Sequence, residues 1–164
     1  MESLSNLVVA ETELGNIARL LGQLAQATNA GSVLLLDKSG QLISTQGGVG
    51  SRDLMALGAL LAGAFSSSRH VAEILGEHDF RHILQQGVHE SIYTSLIGDQ
   101  WLLVVVFDKQ THVGLVKVLA RKTGEELERV LERVRAGGTQ AKESVIGVQF
   151  RSSVENTIDL LFQD

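Results

Sequence analysis

The sequence predicts an α+β domain built on a five-stranded, mostly antiparallel sheet with helices on both of its faces. Three observations favour this fold class. Apolar residues recur at helical spacing in three long stretches, short apolar or alternating runs lie between these stretches, and turn residues join the short runs in pairs. The predicted order is α-β-β-α-β-β-β-α, followed by a short C-terminal helix.

The first half of the chain predicts two helices with a hairpin between them. Helical spacing covers residues 11–29, and the continuous apolar run Val33–Leu36 is typical of a strand covered on both faces. A polar turn then leads into a second strand that begins at Leu42. Ser51 is suited to cap the next helix, which we expect to end at Gly76.

The second half predicts three strands and a long helix. Residues 80–86 mix apolar and charged side chains, which indicates a half-exposed edge strand. A strand over residues 90–97 is joined at Gly98 to an apolar strand over residues 101–107, which we expect at the centre of the sheet. Thr111 is suited to cap the last helix.

The composition changes near the C-terminus, which divides the chain into three predicted parts. Residues 1–136 form the domain, residues 137–150 form a polar, glycine-rich linker, and residues 151–164 form an amphipathic tail helix. A helix this short is marginal alone, so its apolar stripe needs a surface on which to dock. The docking residues we expect are Ile158, Leu161 and Phe162.

The composition also excludes several classes of function. The net charge of −5 and the aromatic content of 4% leave no basic stripe or stacking platform for nucleic acid. There is no cysteine, which excludes disulfides and cysteine-based sites. The apolar run of residues 54–65 is shorter than the about 20 residues of a membrane span, and no signal peptide is expected at the start. We therefore expect a cytoplasmic protein without membrane insertion.

Residues that could support catalysis or metal binding have simpler explanations. Asp37 and Asp108 each follow an apolar strand, where a carboxylate can act as acid, base or cation ligand but is commonly a turn former. His78 and His82 are four residues apart at a strand entry, where this spacing does not converge on one metal. The sequence therefore predicts no active site, no metal and no cofactor.

The middle helix carries two stripes of residues suited to burial, although a helix buried on one face needs only one. The first stripe suits the sheet and contains Leu54, Leu57, Leu61, Phe65, Ser68, Ala72 and Leu75. The second stripe has small side chains that let another backbone approach closely, and it contains Ala56, Ala59, Gly63, Ser66, Ser67 and His70. Another helix of the same chain could cover the second stripe. A partner protein is favoured, because each flanking helix has only one apolar face and is polar on the other.

Four segments make the chain resemble the Roadblock (dynein light chain) domain family, and within it the bacterial MglB proteins. They are AGSVLLLDKSGQLIS at residues 30–44, LGALLAGAFSSSRHVAEILGE at 57–77, SIYTSLIGDQWLLVVVFDKQTHVGLVKV at 91–118, and ENTIDLLFQD at 155–164. The resemblance covers nearly all of the chain except the first ten residues and residues 137–150. No single motif in these segments is catalytic, so the resemblance depends on all of them together.

The resemblance implies a homodimer that binds a small Ras-like GTPase of the MglA type. In the dimers of this family, the middle helices lie side by side and the third strands join two sheets into one. The corresponding dimer interface here would involve Leu60, Phe80, His82 and Leu84. The stripe Ala56, Ala59, Gly63, Ser66, Ser67 and His70 would then bind the GTPase, and the tail helix could contact it elsewhere. The resemblance also implies a cytoplasmic location that can be polar.

The implied activity is GTPase activation in bacterial polarity and motility, achieved by reorganising the GTPase's own catalytic residues. GTP and magnesium would be bound by the partner, so this chain needs no cofactor. Arg69 could act as an arginine finger, although a charged residue at the rim of the interface is the simpler interpretation. Two alternatives stay open: a Roadblock scaffold that binds a GTPase or polarity protein without stimulating hydrolysis, and a small-molecule sensor domain.

Overall fold

The structure is a computed structural model that describes the backbone of residues 2–48 and 53–162 and the side chains of residues 11–48 and 53–137. The predicted order of helices and strands is confirmed. The elements are α1 (Glu2–Thr28), β1 (Ser32–Asp37), β2 (Leu42–Gly47), α2 (Leu54–Leu75), β3 (His82–Gln86), β4 (Glu90–Ile97), β5 (Trp101–Asp108) and α3 (Val113–Phe162).

The five strands form one antiparallel sheet with the order β2-β1-β5-β4-β3. The apolar strand β5 lies at the centre, as its composition predicts, and pairs with β1 in a register that places Leu34 opposite Val104. The mixed strand β3 lies at one edge and pairs with β4 alone, so the predicted edge strand is also confirmed.

Two hydrophobic cores lie on the two faces of this sheet because successive strand residues point to opposite sides. Val33, Leu35 and Val105 pack on one face under α1 and α3. Leu34, Leu36 and their neighbours Val104 and Val106 pack on the other face under α2. The continuous apolar runs of β1 and β5 therefore have the burial that a strand covered on both faces requires.

The ends of α2 and the start of α3 differ in detail from the sequence prediction. Asp53 caps α2 by accepting a hydrogen bond from the Ala56 N–H at 3.1 Å, whereas Ser51 lies outside the described residues. Gly76 ends α2 in the left-handed conformation, as predicted, with φ of 77°. The Thr111 hydroxyl donates to the Thr28 carbonyl at 2.9 Å and so joins the end of α1 to the chain before α3 instead of capping α3.

Helix α3 continues through the residues predicted as a linker and a separate tail helix. Its backbone is helical from Val113 to Phe162, which includes residues 137–150 and 151–162. The three glycines of the predicted linker, Gly137, Gly138 and Gly147, cost only about 1 kcal/mol each relative to alanine, and most of the other linker residues are compatible with a helix. Side chains from residue 138 onward, and with them Ile158, Leu161 and Phe162, lie outside the described residues, so the division into domain, linker and tail stays a prediction.

Candidate partner interface

The outward face of α2 is the surface of the helix that points away from the sheet. The residues of α2 that the sheet buries are Gly58, Leu61, Ala62, Phe65 and Ala72. The six residues of the second stripe are all exposed, namely Ala56, Ala59, Gly63, Ser66, Ser67 and His70. No helix within the described ranges covers them, so the alternative of a cover from the same chain does not hold there.

The outward face also carries large apolar side chains that sequence reasoning missed. The exposed fraction is 82% for Met55, 85% for Ile74 and 50% for Val71, while Leu60, predicted at a dimer interface, is 72% exposed. Leu75 was predicted to face the sheet but is 66% exposed, because it lies beyond Ala72, the last residue of α2 that the sheet buries. The spacing of Leu60, Val71 and Ile74 with the small residues is helical and could have revealed this wider face.

The edge strand β3 alternates its side chains between the two faces of the sheet. Ile83 packs against the α2 core, whereas Leu84 packs against the core under α1 and α3. His82 is exposed, and its ring centroid lies 5.6 Å from that of Tyr93, whose pKa is raised by burial. His82 and Leu84 thus lie on the face opposite Leu60, and Phe80, which precedes β3, lies beside α3 on the same face as His82. These four predicted dimer residues therefore do not form one patch within a single chain.

The outward face of α2 and the end of β3 meet in a shallow groove of about 570 Å³, which we call the α2 groove. Ala56, Leu57 and Leu60 line it on the helix side, and Gln85 and Gln86 line it on the strand side. This groove is the place where the structure brings a predicted GTPase-binding residue, Ala56, together with a predicted dimer residue, Leu60. An incoming helix or strand can contact α2 and β3 there at the same time.

An ion pair connects α2 to the chain that leads into β3. The Arg69 Nε lies 2.9 Å from Asp79 Oδ1, with 34% and 26% of the two side chains exposed. The Arg81 carbonyl accepts a hydrogen bond from the Leu96 N–H at 2.9 Å, which holds the same loop to β4. Arg69 therefore already has a carboxylate partner within its own chain.

The two candidate catalytic aspartates have structural roles in turns. Asp37 Oδ1 accepts hydrogen bonds from the Ser39 N–H and hydroxyl at 2.9 Å and 2.6 Å, and Asp108 Oδ1 accepts one from the Gln110 N–H at 2.9 Å. Both aspartates are thus turn formers, as the simpler interpretation held. Among the described residues, no group of three or more acidic or histidine side chains could hold a metal ion.

The fold agrees with the comparisons to known proteins. The Roadblock/LC7 domain family matches residues 17–107. The chain belongs to the Roadblock/LC7 family. The match begins within α1 and ends within β5, so it includes α2 and β3, the two elements that form the α2 groove.

Solved structures of MglB proteins are similar to this chain. Myxococcus xanthus MglB shares 33% identity over 74% of this chain and 91% of its own, with a TM-score of 0.71. The gliding protein MglB from Thermus thermophilus shares 27% identity over 74% and 92%, also with a TM-score of 0.71. A structure described as MglB with tetrameric arrangement shares 26% identity over 74% and 92%, with a TM-score of 0.72. A search of curated proteins found no match.

These comparisons identify the chain as an MglB-like Roadblock protein. This fold supports a role as a GTPase-associated regulator in general, in a family whose members are generally adaptors or regulators without catalysis of their own. Within the described ranges, every helix is too short or too polar to cross a membrane.

Proposed function

We propose that this protein is a homodimeric GTPase-activating protein for a small Ras-like GTPase of the MglA type, acting in bacterial cell polarity and motility. The observation that carries the proposal is the outward face of α2, an exposed surface of small and large apolar residues in an MglB-like Roadblock chain. Monomeric proteins rarely expose a continuous apolar surface of this kind without using it to bind a partner.

Dimerisation would use α2 together with the edge strand β3. Burying a large apolar side chain contributes about 1.5–3 kcal/mol of favourable free energy. Burial of the exposed side chains of Leu60 and Ile74 would therefore stabilise a dimer substantially. The unpaired edge of β3 could add main-chain hydrogen bonds to its own copy across a two-fold axis. Such pairing needs only backbone atoms, which fits the finding that His82 and Leu84 face away from α2.

GTPase activation in this proposal comes from the partner's own catalytic residues. The small residues Ala56, Ala59 and Gly63 allow close approach of the GTPase backbone, and Ser66, Ser67 and His70 supply polar contacts at the rim. Binding would select the GTPase conformation in which charge stabilisation is already in place. GTP and magnesium belong to the GTPase, and Arg69 stays with Asp79.

The direct test measures GTP hydrolysis by an MglA-like GTPase with and without this protein. We expect acceleration by wild type and none by Gly63→Arg, because an arginine there occupies the space of the approaching backbone. A Cβ at Gly63 meets nothing within 4 Å, so the fold is expected to tolerate the change. Gly15→Arg on α1 is the matched control, since Gly15 is also an exposed helical glycine in open space.

The outcomes of this experiment separate the proposed activator from the alternatives. Binding of the GTPase without acceleration at saturating protein would show a scaffold. A chain that stays monomeric at micromolar concentration would contradict the dimer, and the mass of wild type and Gly63→Arg in solution measures this directly. Equal loss of activity in Gly15→Arg would mean that the effect of Gly63→Arg is not specific to α2, which would contradict the platform assigned there.

A further inference from the structure

Met55 is a large apolar side chain that the fold leaves in solvent. It lies in the first turn of α2, and 82% of it is exposed. It belongs to neither of the two hydrophobic cores. Methionine is frequent on surfaces that bind partners, because its unbranched side chain adapts to the shape of the partner. The exposure of Met55 therefore indicates a contact residue rather than a member of a core.

The position of Met55 on α2 places it beside the small residues of the outward face. Residues four apart on a helix are neighbours, so Met55 lies next to Ala59, and Ala59 lies next to Gly63. Leu57 and Leu60, which line the α2 groove towards β3, are roughly 160° and 140° around the helix from Met55. Met55 thus belongs to the GTPase side of α2 and not to the side that faces the edge strand.

The sulfur of Met55 is an accessible target for a peroxide. The chain has no cysteine, and its two methionines are Met1 and Met55, of which Met1 lies outside the described residues. The single tryptophan, Trp101, is buried, with 9% of it exposed. Within the described residues, Met55 therefore carries the side chain that a peroxide oxidises most readily.

We propose that Met55 is an oxidation site that regulates the outward face of α2. A hydroperoxide converts its thioether to a sulfoxide, and the sulfoxide weakens binding of the GTPase. A lone pair on sulfur attacks the terminal peroxide oxygen, the O–O bond breaks, and water or an alcohol leaves after proton transfer. The sulfur loses two electrons and the hydroperoxide gains them. This inference rests on the proposed function, because it concerns regulation of the same site.

The change in polarity explains why binding would weaken. An apolar thioether gains free energy when an interface removes it from water, whereas a sulfoxide is polar and loses most of that gain. The reaction is reversible, because methionine sulfoxide reductases return two electrons from a thiol and release the oxygen as water. Since Met55 is so exposed, neither reaction requires the fold to open.

The first measurement is the rate of oxidation at Met55. The full chain is treated with hydrogen peroxide, the reaction is stopped with catalase, and the peptide that contains Met55 is followed by mass spectrometry. We expect this peptide to gain about 16 Da at a rate within about threefold of free methionine in the same solution. A rate more than about tenfold slower would contradict the proposal, because the sulfur would then be protected.

The second measurement is the affinity for an MglA-like GTPase loaded with a non-hydrolysable GTP analogue. Peroxide is removed before mixing, so the GTPase itself is not oxidised. We expect oxidation of wild type to raise the dissociation constant by about tenfold, and sulfoxide reductases with dithiothreitol to restore it. The mass of the dimer in solution should not change, since Met55 faces away from the α2 groove.

Two variants separate Met55 from Met1 and from general damage. Met55→Leu has nearly the same volume without sulfur, and its dissociation constant before and after peroxide should agree within about twofold. Val118→Met added to Met55→Leu provides an oxidisable side chain on α3, at a position that is 66% exposed on the opposite face of the sheet. Oxidation of this double variant should likewise change its dissociation constant by less than about twofold.

The outcomes distinguish this regulation from the proposed function itself. Unchanged affinity of fully oxidised wild type, or an equal loss of affinity in oxidised Met55→Leu, would overturn the role of Met55 while leaving GTPase activation in place. Untreated wild type provides the reference for GTPase activation. If untreated protein neither binds nor activates the GTPase, the proposed function fails and this regulation fails with it.

Discussion

Two glycines of α2, five residues apart, have different physical reasons to be glycine. A Cβ on Gly58 would lie 2.5 Å from the carbonyl oxygen of Gly40, which itself has a φ of +92°. The turn between β1 and β2 thus contacts the backbone of α2 directly. A Cβ on Gly63 would meet nothing within 4 Å. Gly58 is required by the fold, whereas Gly63 is not, and its small size leaves space for a partner.

We expect alanine to have opposite effects at these two positions. Gly58→Ala should lower the free energy of unfolding by about 1–3 kcal/mol, because backbone atoms must shift to admit the methyl group. Gly63→Ala should raise it by up to about 1 kcal/mol through helix propensity. Urea unfolding at one fixed protein concentration measures both, since dimer formation would otherwise move the midpoint. Similar effects at the two positions would contradict the close approach of Gly40 to α2.

At the scale of elements, the ion pair between Arg69 and Asp79 joins α2 to the loop that leads into β3. These two elements line the α2 groove together, so the ion pair positions the interface without needing to enter it. Both side chains are partly exposed, which limits the contribution of the pair to stability to about 0.2–1 kcal/mol.

This arrangement predicts small and equal effects when either partner is changed. Arg69→Ala and Asp79→Asn should each lower stimulated GTP hydrolysis by less than about tenfold, whereas loss of an arginine finger costs about 10³–10⁵-fold. Single-turnover hydrolysis at saturating protein makes the comparison. A loss of about 10³-fold or more in Arg69→Ala, with Asp79→Asn nearly normal, would show that Arg69 leaves Asp79 to enter the GTPase active site.

The elements differ in how far the sequence predicts them. The central position of β5 and the edge position of β3 follow from composition, because burial on both faces demands apolar residues and an edge tolerates charge. The continuity of α3 could not be predicted, since three glycines and several polar residues suit a linker and a solvated helix alike. The sequence could not identify Asp53 as the N-cap residue of α2, because Ser51, two positions earlier, is an equally good capping residue.

At the scale of the whole molecule, one ion pair joins the two helices that cover the same face of the sheet. Arg133 on α3 donates to both carboxylate oxygens of Glu13 on α1, with distances of 3.1 Å and 3.3 Å. The hydrogen bond from Arg133 lowers the pKa of the Glu13 carboxyl, against an opposing effect of desolvation. The charged form of Glu13 therefore stabilises the folded state.

The sign of the pKa shift predicts how stability changes with pH. The pKa of Glu13 is lower in the folded than in the unfolded chain, so its contribution is present above the unfolded pKa and is lost as pH falls through the folded pKa. Glu13→Gln should be less stable than wild type at about pH 6, and the difference should shrink below about pH 4. Thermal unfolding between about pH 3 and 7 checks this, and an Arg133→Gln background should remove the pH dependence of the difference.

The candidate interface was only partly predictable, because periodicity finds a face but not its extent. The small stripe that includes Gly63 is exposed as expected, whereas Met55 and Ile74 were missed and Leu75 was assigned to the wrong side. A helical pattern does not show where the sheet beneath the helix ends. Phe80 and His82 were predicted to lie with Leu60, although both line the α3 side of the sheet. The partner itself follows from family resemblance and not from any single residue.

The exposed face of α2 and the unpaired edge of β3 are consecutive in the chain, between Leu54 and Gln86. The buried pairing of β1 with β5, by contrast, joins residues on either side of that stretch. One continuous segment of the gene therefore encodes most of the surface with which this chain would choose its partners. Exchange of that segment between related genes could change partner choice while leaving the central strand pair, and with it the inherited fold, intact.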